Sequence, residues 1–110
     1  MVEHRPTVRA VVVGSLNADL VTEVPRIPLV GETRQATGLR RTTGGKGANQ
    51  AVALARLGTT VDMVGQVGAD AEGAALLANL TGAGVSVRHV VTVAGESTGL
   101  AIVMVDERGA

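Results

Sequence analysis

The chain has 110 residues, 45% of them hydrophobic, enough for one domain with its own core or for part of one. Ten basic and ten acidic side chains cancel, so total charge steers the protein toward neither nucleic acid nor an anionic membrane, and a small neutral partner fits better. The absence of cysteine excludes disulfides, thiolate nucleophiles and cysteine zinc sites, and the absence of Phe, Trp and Tyr removes aromatic stacking platforms, leaving hydrogen bonds as the main means of recognition.

The opening residues, Met1-Val2-Glu3-His4-Arg5-Pro6, carry charge and proline where a signal peptide needs an apolar run. No segment is long enough to span a bilayer, and the expected location is the cytoplasm. Val8 to Val13 is an almost unbroken apolar, β-branched run ended by Gly14 and Ser15, the pattern of a parallel strand buried on both faces. Asn17 and Asp19 follow, two residues apart, so in an extended chain both point to one side at the strand's carboxyl end. In open α/β sheets ligands bind there.

Leu20 to Val24 and Thr33 to Thr43 read as short strands separated by Pro25, Pro28 and Gly31, an exposed antiparallel flap; an irregular surface loop is the alternative. Next comes Gly44-Gly45-Lys46-Gly47-Ala48-Asn49-Gln50-Ala51, running into an alanine-rich helix that ends at Leu57 before Gly58. Paired glycines let backbone N–H groups approach a ligand closely. Asn49 falls in the first helical turn, where unpaired N–H groups and the positive end of the dipole favour oxygen-rich ligands. A helix start whose glycines only permit tight packing is the plain alternative.

Two familiar glycine motifs are excluded by the letters. A P-loop needs glycine where Arg40 stands and Ser or Thr where Gly47 stands, and a dinucleotide fingerprint starting at Gly45 needs glycine at Gln50.

Val61 to Val67 is a further strand, Asp70 a natural N-cap for a helix running to about Leu80, and Gly82 and Gly84 end that helix. Strands at Val87 to Val93 and Thr98 to Val105 complete the pattern. Strands alternating with helices predict a right-handed, parallel α/β sheet flanked by helices. His4 and His89 have no carboxylate or cysteine at metal spacing and read as surface or packing residues. Ser15 and Ser97 lack a histidine partner and read as turn residues, and Arg40 and Arg41 as a solvated flap edge.

The motifs Gly14-Ser15-Leu16-Asn17-Ala18-Asp19, Pro28-Leu29-Val30-Gly31-Glu32-Thr33, Gly44 to Ala51, then Gly58, Gly68, Asp70 and Gly73, and Gly95-Glu96-Ser97-Thr98-Gly99 occur in that order. In this order they resemble, nearly end to end, the N-terminal portion of the PfkB family of carbohydrate kinases, with the Gly44 to Ala51 loop closest to its ribokinase-like members. The resemblance implies a ribokinase-like fold with a small β-strand lid at about residues 20–43 and 98–105, all of residues 1–110 forming the sugar-binding part. It implies transfer of the ATP γ-phosphoryl group to D-ribose, giving ribose 5-phosphate, with Mg2+ and K+, in a homodimer formed through the lid.

By the same resemblance, the substrate-binding residues are Asn17, Ala18 and Asp19 on one side and Gly44, Gly45, Lys46, Gly47, Ala48 and Asn49 on the other. A carboxylate accepts from neighbouring hydroxyls, and an amide both donates and accepts. The role of Lys46 stays open between orienting the sugar and facing solvent. The family's nucleotide site, anion hole and catalytic aspartate match no segment here, so the expectation is an incomplete sheet and a chain inactive alone. A non-catalytic sugar-binding or dimerisation module, or a kinase for another sugar or a nucleoside, is the alternative.

Overall fold

The computed structural model describes residues 8–110. Eight elements follow one another: β1 (Arg9–Val13), β2 (Asn17–Glu23), β3 (Gly38–Gly44), α1 (Lys46–Arg56), β4 (Thr60–Gly68), α2 (Ala71–Gly82), β5 (Ser86–Val93) and β6 (Gly99–Val105). They build two three-stranded sheets. The main sheet has the order β1-β4-β5 and is parallel throughout, while the lid sheet has the order β3-β2-β6, with β2 antiparallel to β3 and parallel to β6.

Both helices pack on one face of the main sheet. Val12, Val61, Met63 and Val67 project from that face against Ala48 and Ala51 of α1 and Leu76 and Leu80 of α2. Met63, Leu76 and Leu80 are fully buried, each contributing about 1.5–3 kcal/mol of apolar transfer. The alanines of α1 let that helix sit close to the strands, as their spacing predicts.

The opening strand departs from expectation. Val12 is buried, but Val11 and Val13 are 65% and 76% exposed, so β1 is covered on one face only. The apolar run signals a face that needs a second layer, and among the described residues no element supplies it. The sequence could not distinguish a strand that is covered on both faces from one that is merely apolar on both.

The flap is a true hairpin, with Thr22 opposite Leu39 and Glu23 opposite Gly38, but its second strand starts at Gly38 rather than Thr33. Once β2 ends at Glu23, residues 33–37 have no strand to pair with. They form a loop in which Glu32 takes Arg26 at 2.9 Å and Arg34 at 3.2 Å, and the Thr37 N–H donates to the Glu23 carbonyl to close it. These guanidinium partners, Arg26 first, hold the Glu32 carboxyl below its ordinary pKa. His4 lies outside the described residues, and His89 stands exposed on β5.

Candidate functional site

The backbone turns from the main sheet into the lid at Gly14, Ser15 and Leu16, and the start of α1 returns to the same place. Gly14 and Gly47 meet backbone to backbone there: a Cβ on Gly47 would lie 2.7 Å from the Gly14 carbonyl carbon and from the Ser15 nitrogen. Gly45, the N-cap of α1, has φ 98° and ψ 136°, a conformation reserved for glycine. It carries the chain from the end of β3 into the helix in a single residue.

Asn17 and Asp19 sit at the start of β2, the central lid strand, rather than on a continuation of β1. They are extended and share one face, as their spacing predicts. Asn17 stands opposite Gly44 on β3 and opposite Gly99 on β6. Both neighbours lack a side chain where the site residues need room. A Cβ on Gly99 would fall 2.5 Å from the Asn17 side-chain oxygen, and one on Gly44 would run into the Asp19 carboxylate.

The remaining site candidates divide by what their side chains can do. Ala18 and Ala48 are buried, facing α2 and the core respectively, so each offers only backbone. Gly47 is buried against Gly14. Lys46 and Asn49 occupy the first turn of α1 and are exposed. Among the described residues, the side chains of Asn17, Asp19, Lys46 and Asn49 make no hydrogen bond or ion pair. Asn17 and Asp19 flank the Gly44–Gly45 passage into α1, and polar side chains with their bonding capacity unspent are suited to a ligand rich in hydroxyls.

The backbone donors of the helix start are used differently from what the glycine pattern suggests. The Ala48 N–H donates to the Ser15 carbonyl at 3.0 Å, the Gly47 N–H to the Ser15 hydroxyl at 3.5 Å, and the Asn49 N–H to the Gly45 carbonyl at 2.9 Å. Ser15 therefore consumes two first-turn donors that the glycine pattern suggested were open to a ligand. Its Ser-after-Gly turn signal was legible in the sequence; its partners, 32 and 33 residues away, were not.

The roles of Thr98 and Gly99, and a second role of Asp70, escape a reading by residue type. Asp70 caps α2, accepting from the Gly73 N–H at 2.8 Å, as predicted. It also accepts from the Thr98 hydroxyl at 2.6 Å and the Thr98 N–H at 2.7 Å, and the Thr98 hydroxyl in turn accepts from the Gly68 N–H at 2.9 Å. These donors, the Thr98 hydroxyl first, hold the Asp70 carboxyl below the usual carboxylate range. On the opposite face of the lid sheet, a cavity of about 200 Å³ lined by Ala18, Leu20, Ala71, Ala75 and Leu100 separates the lid from α2. It is bridged at its rim by Arg41 and Glu72, 3.1 Å apart.

A parallel α/β sheet joined to a small second sheet, with an amide and a carboxylate of that sheet beside a glycine-built helix start, is the arrangement that the motif order implied. Residues 8–110 match the pfkB family of carbohydrate kinases, and the chain belongs to that family. The ribokinase of Schizosaccharomyces pombe is 44% identical over 108 residues, covering 93% of this chain and 34% of its own length. The structure of Arabidopsis thaliana ribokinase complexed with ribose and ATP superposes with a TM-score of 0.84 at 41% identity, covering 96% of this chain and 34% of that one. Thermotoga maritima ribokinase gives a TM-score of 0.87 at 35% identity, covering 94% and 34%. The chain spans about a third of the length of the curated relatives it matches.

Proposed function

We propose that this chain is the sugar-binding part of a ribokinase-like kinase that transfers the ATP γ-phosphoryl group to the primary hydroxyl of D-ribose, giving ribose 5-phosphate. One observation carries the reading: the Asn17 amide and Asp19 carboxylate, unspent in the fold, stand on one strand face against Gly44 and the start of α1. In this reading Asp19 accepts from sugar hydroxyls, Asn17 donates and accepts, and Asn49 and Lys46 close the other side. A hydroxyl-reading carboxylate rejects sugars that lack its partner, because it is then left unpaired. Relatives of high identity that are named ribokinases support ribose over other sugars.

ATP, Mg2+ and K+ belong to the same proposal, bound by segments that the relatives possess beyond the third spanned here. In this reading the chain's part is to bind and orient the sugar. Closure of the lid over it excludes water and limits wasteful ATP hydrolysis.

Pairing of two lids in a homodimer fits the apolar residues on the lid face opposite Asn17, where Leu39, Ile102 and Met104 are exposed beyond the part that faces α2. No described helix is long and apolar enough to cross a membrane. A cytoplasmic protein without nucleic-acid or membrane partners completes the reading.

The test is titration of ribose into the protein and its Asp19→Ala variant by calorimetry. Hydrogen bonds to a charged group contribute about 1.5–3 kcal/mol, so affinity should fall at least about tenfold. Unchanged ribose affinity in the variant would remove Asp19 from the site and with it the reading.

A further inference from the structure

Asp70 and Thr98 are far more heavily bonded than a helix cap requires. Three backbone segments meet at this pair: the end of β4 through Gly68, the start of α2 through Gly73, and the chain entering β6 through Thr98. Thr98 is buried, and its hydroxyl accepts from Gly68 while donating to Asp70. The approach leaves no room for side chains. A Cβ on Gly68 would lie 2.6 Å from the Thr98 nitrogen, and one on Gly73 would lie 2.9 Å from the Thr98 hydroxyl.

The next residue after Thr98 is Gly99, the cross-strand neighbour of Asn17. From there β6 runs alongside β2 for seven register pairs, with Ala101 opposite Asp19. The main sheet and the lid sheet share no strand. Whatever fixes Thr98 to the top of β4 and α2 therefore fixes the edge against which Asn17 and Asp19 are aligned. Between the other lid edge and α2, the one side-chain bond among the described residues is the exposed Arg41–Glu72 ion pair.

We propose that the Asp70–Thr98 pair is the pivot between lid and main sheet, and that both are positioning residues for the sugar ligands Asn17 and Asp19. The proposal rests on the sugar-kinase reading above for its functional half. Its structural half, a buried polar pivot on the β6 edge where the β3 edge has only an exposed ion pair to α2 and its covalent passage through Gly45 into α1, stands on the hydrogen bonds and the backbone path.

Thr98→Val keeps the side-chain shape, removes the hydroxyl, leaves the Gly68 N–H without its partner and leaves Asp70 Oδ1 with the Gly73 N–H alone, whereas Thr98→Ser keeps the hydroxyl. Amide hydrogen exchange in Thr98→Val should accelerate at least about tenfold across β2 and β6 while β1, β4 and the core of α2 stay protected. Thr98→Ser should restore the wild-type pattern. Arg41→Ala, which removes only an exposed pair, should stay within about twofold throughout.

In the full-length enzyme Thr98→Val should raise the KM for ribose about tenfold and leave the KM for ATP unchanged, with Thr98→Ser restoring it. Exchange that rises equally in both sheets, or not at all in the lid, overturns the pivot. A loosened lid with the ribose KM unchanged overturns the positioning role, although the sugar-kinase reading survives. A wild-type protein that binds no ribose sinks that reading, and the exchange pattern then decides the pivot by itself.

Discussion

Replacing Gly45 with alanine probes the helix start on which the candidate site is built. The residue has φ 98° and ψ 136°, so any side chain is strained there by about 1–3 kcal/mol. The added Cβ would also fall 2.5 Å from the Ser15 carbonyl oxygen and 2.9 Å from the Asn17 nitrogen. Both are backbone atoms and cannot rotate away. Relief requires the Gly14–Asn17 turn and the start of α1 to separate, which weakens the 3.0 Å bond from the Ala48 N–H to Ser15 at about 1 kcal/mol. The total is roughly 2–4 kcal/mol of stability.

Gly84 supplies the control. It also has positive φ, 88°, but a Cβ there would meet nothing within 4 Å, so Gly84→Ala carries backbone strain alone, about 1–2 kcal/mol. Urea unfolding of the two variants should place Gly45→Ala below Gly84→Ala by at least about 1 kcal/mol. Ribose affinity should fall only in Gly45→Ala. Equal losses of stability in the two variants would show that the packing of the helix start against Ser15 and Asn17 contributes nothing, and the construction of the site would be wrong.

Leu76→Ala removes a fully buried side chain from the α2 face of the core and should cost about 2–5 kcal/mol, read by the same unfolding assay; a loss under about 1 kcal/mol would mean that α2 is not seated on the sheet as described. Asp70, Asp62 and Glu32 all have folded pKa values below the ordinary range, Asp70 through Thr98, Asp62 through the Ser86 side chain and then Arg88, and Glu32 through Arg26. A carboxyl with a depressed folded pKa stabilises the fold above its unfolded pKa and loses that contribution as pH falls through the folded value. Unfolding midpoints should therefore hold near neutrality and decline below about pH 5, with Thr98→Val flattening part of the decline. A midpoint that rises as the solution is acidified contradicts the assignment.

Local chemistry made much of this protein readable from its letters. The β-branched run before Gly14, the alanine spacing of α1, the Asp70 cap with its Gly73 donor three residues on, and the glycine stops at Gly58 and Gly84 all act between near neighbours, within one turn or one strand. The motif around Gly44 to Asn49 was legible for the same reason, since Gly45 must supply its own positive φ. The sequence therefore determined both helices and most of the strands, but neither the start of β3 nor the strand that carries Asn17 and Asp19.

Only the tertiary structure decided which segments meet. Asn17 and Asp19 open a second sheet because β2 finds β3 on one side and β6 on the other, and β6 lies more than 75 residues away in sequence. Residues 33–37 are not a strand because β2 ends before it could pair with them. Ser15 takes the amides of Gly47 and Ala48, and Thr98 joins Asp70 across 28 residues, through bonds whose partners no local pattern encodes. The physical reason is range: backbone preference and capping are settled by the nearest few residues, whereas pairing, close backbone approach and the sharing of polar groups depend on how distant segments pack.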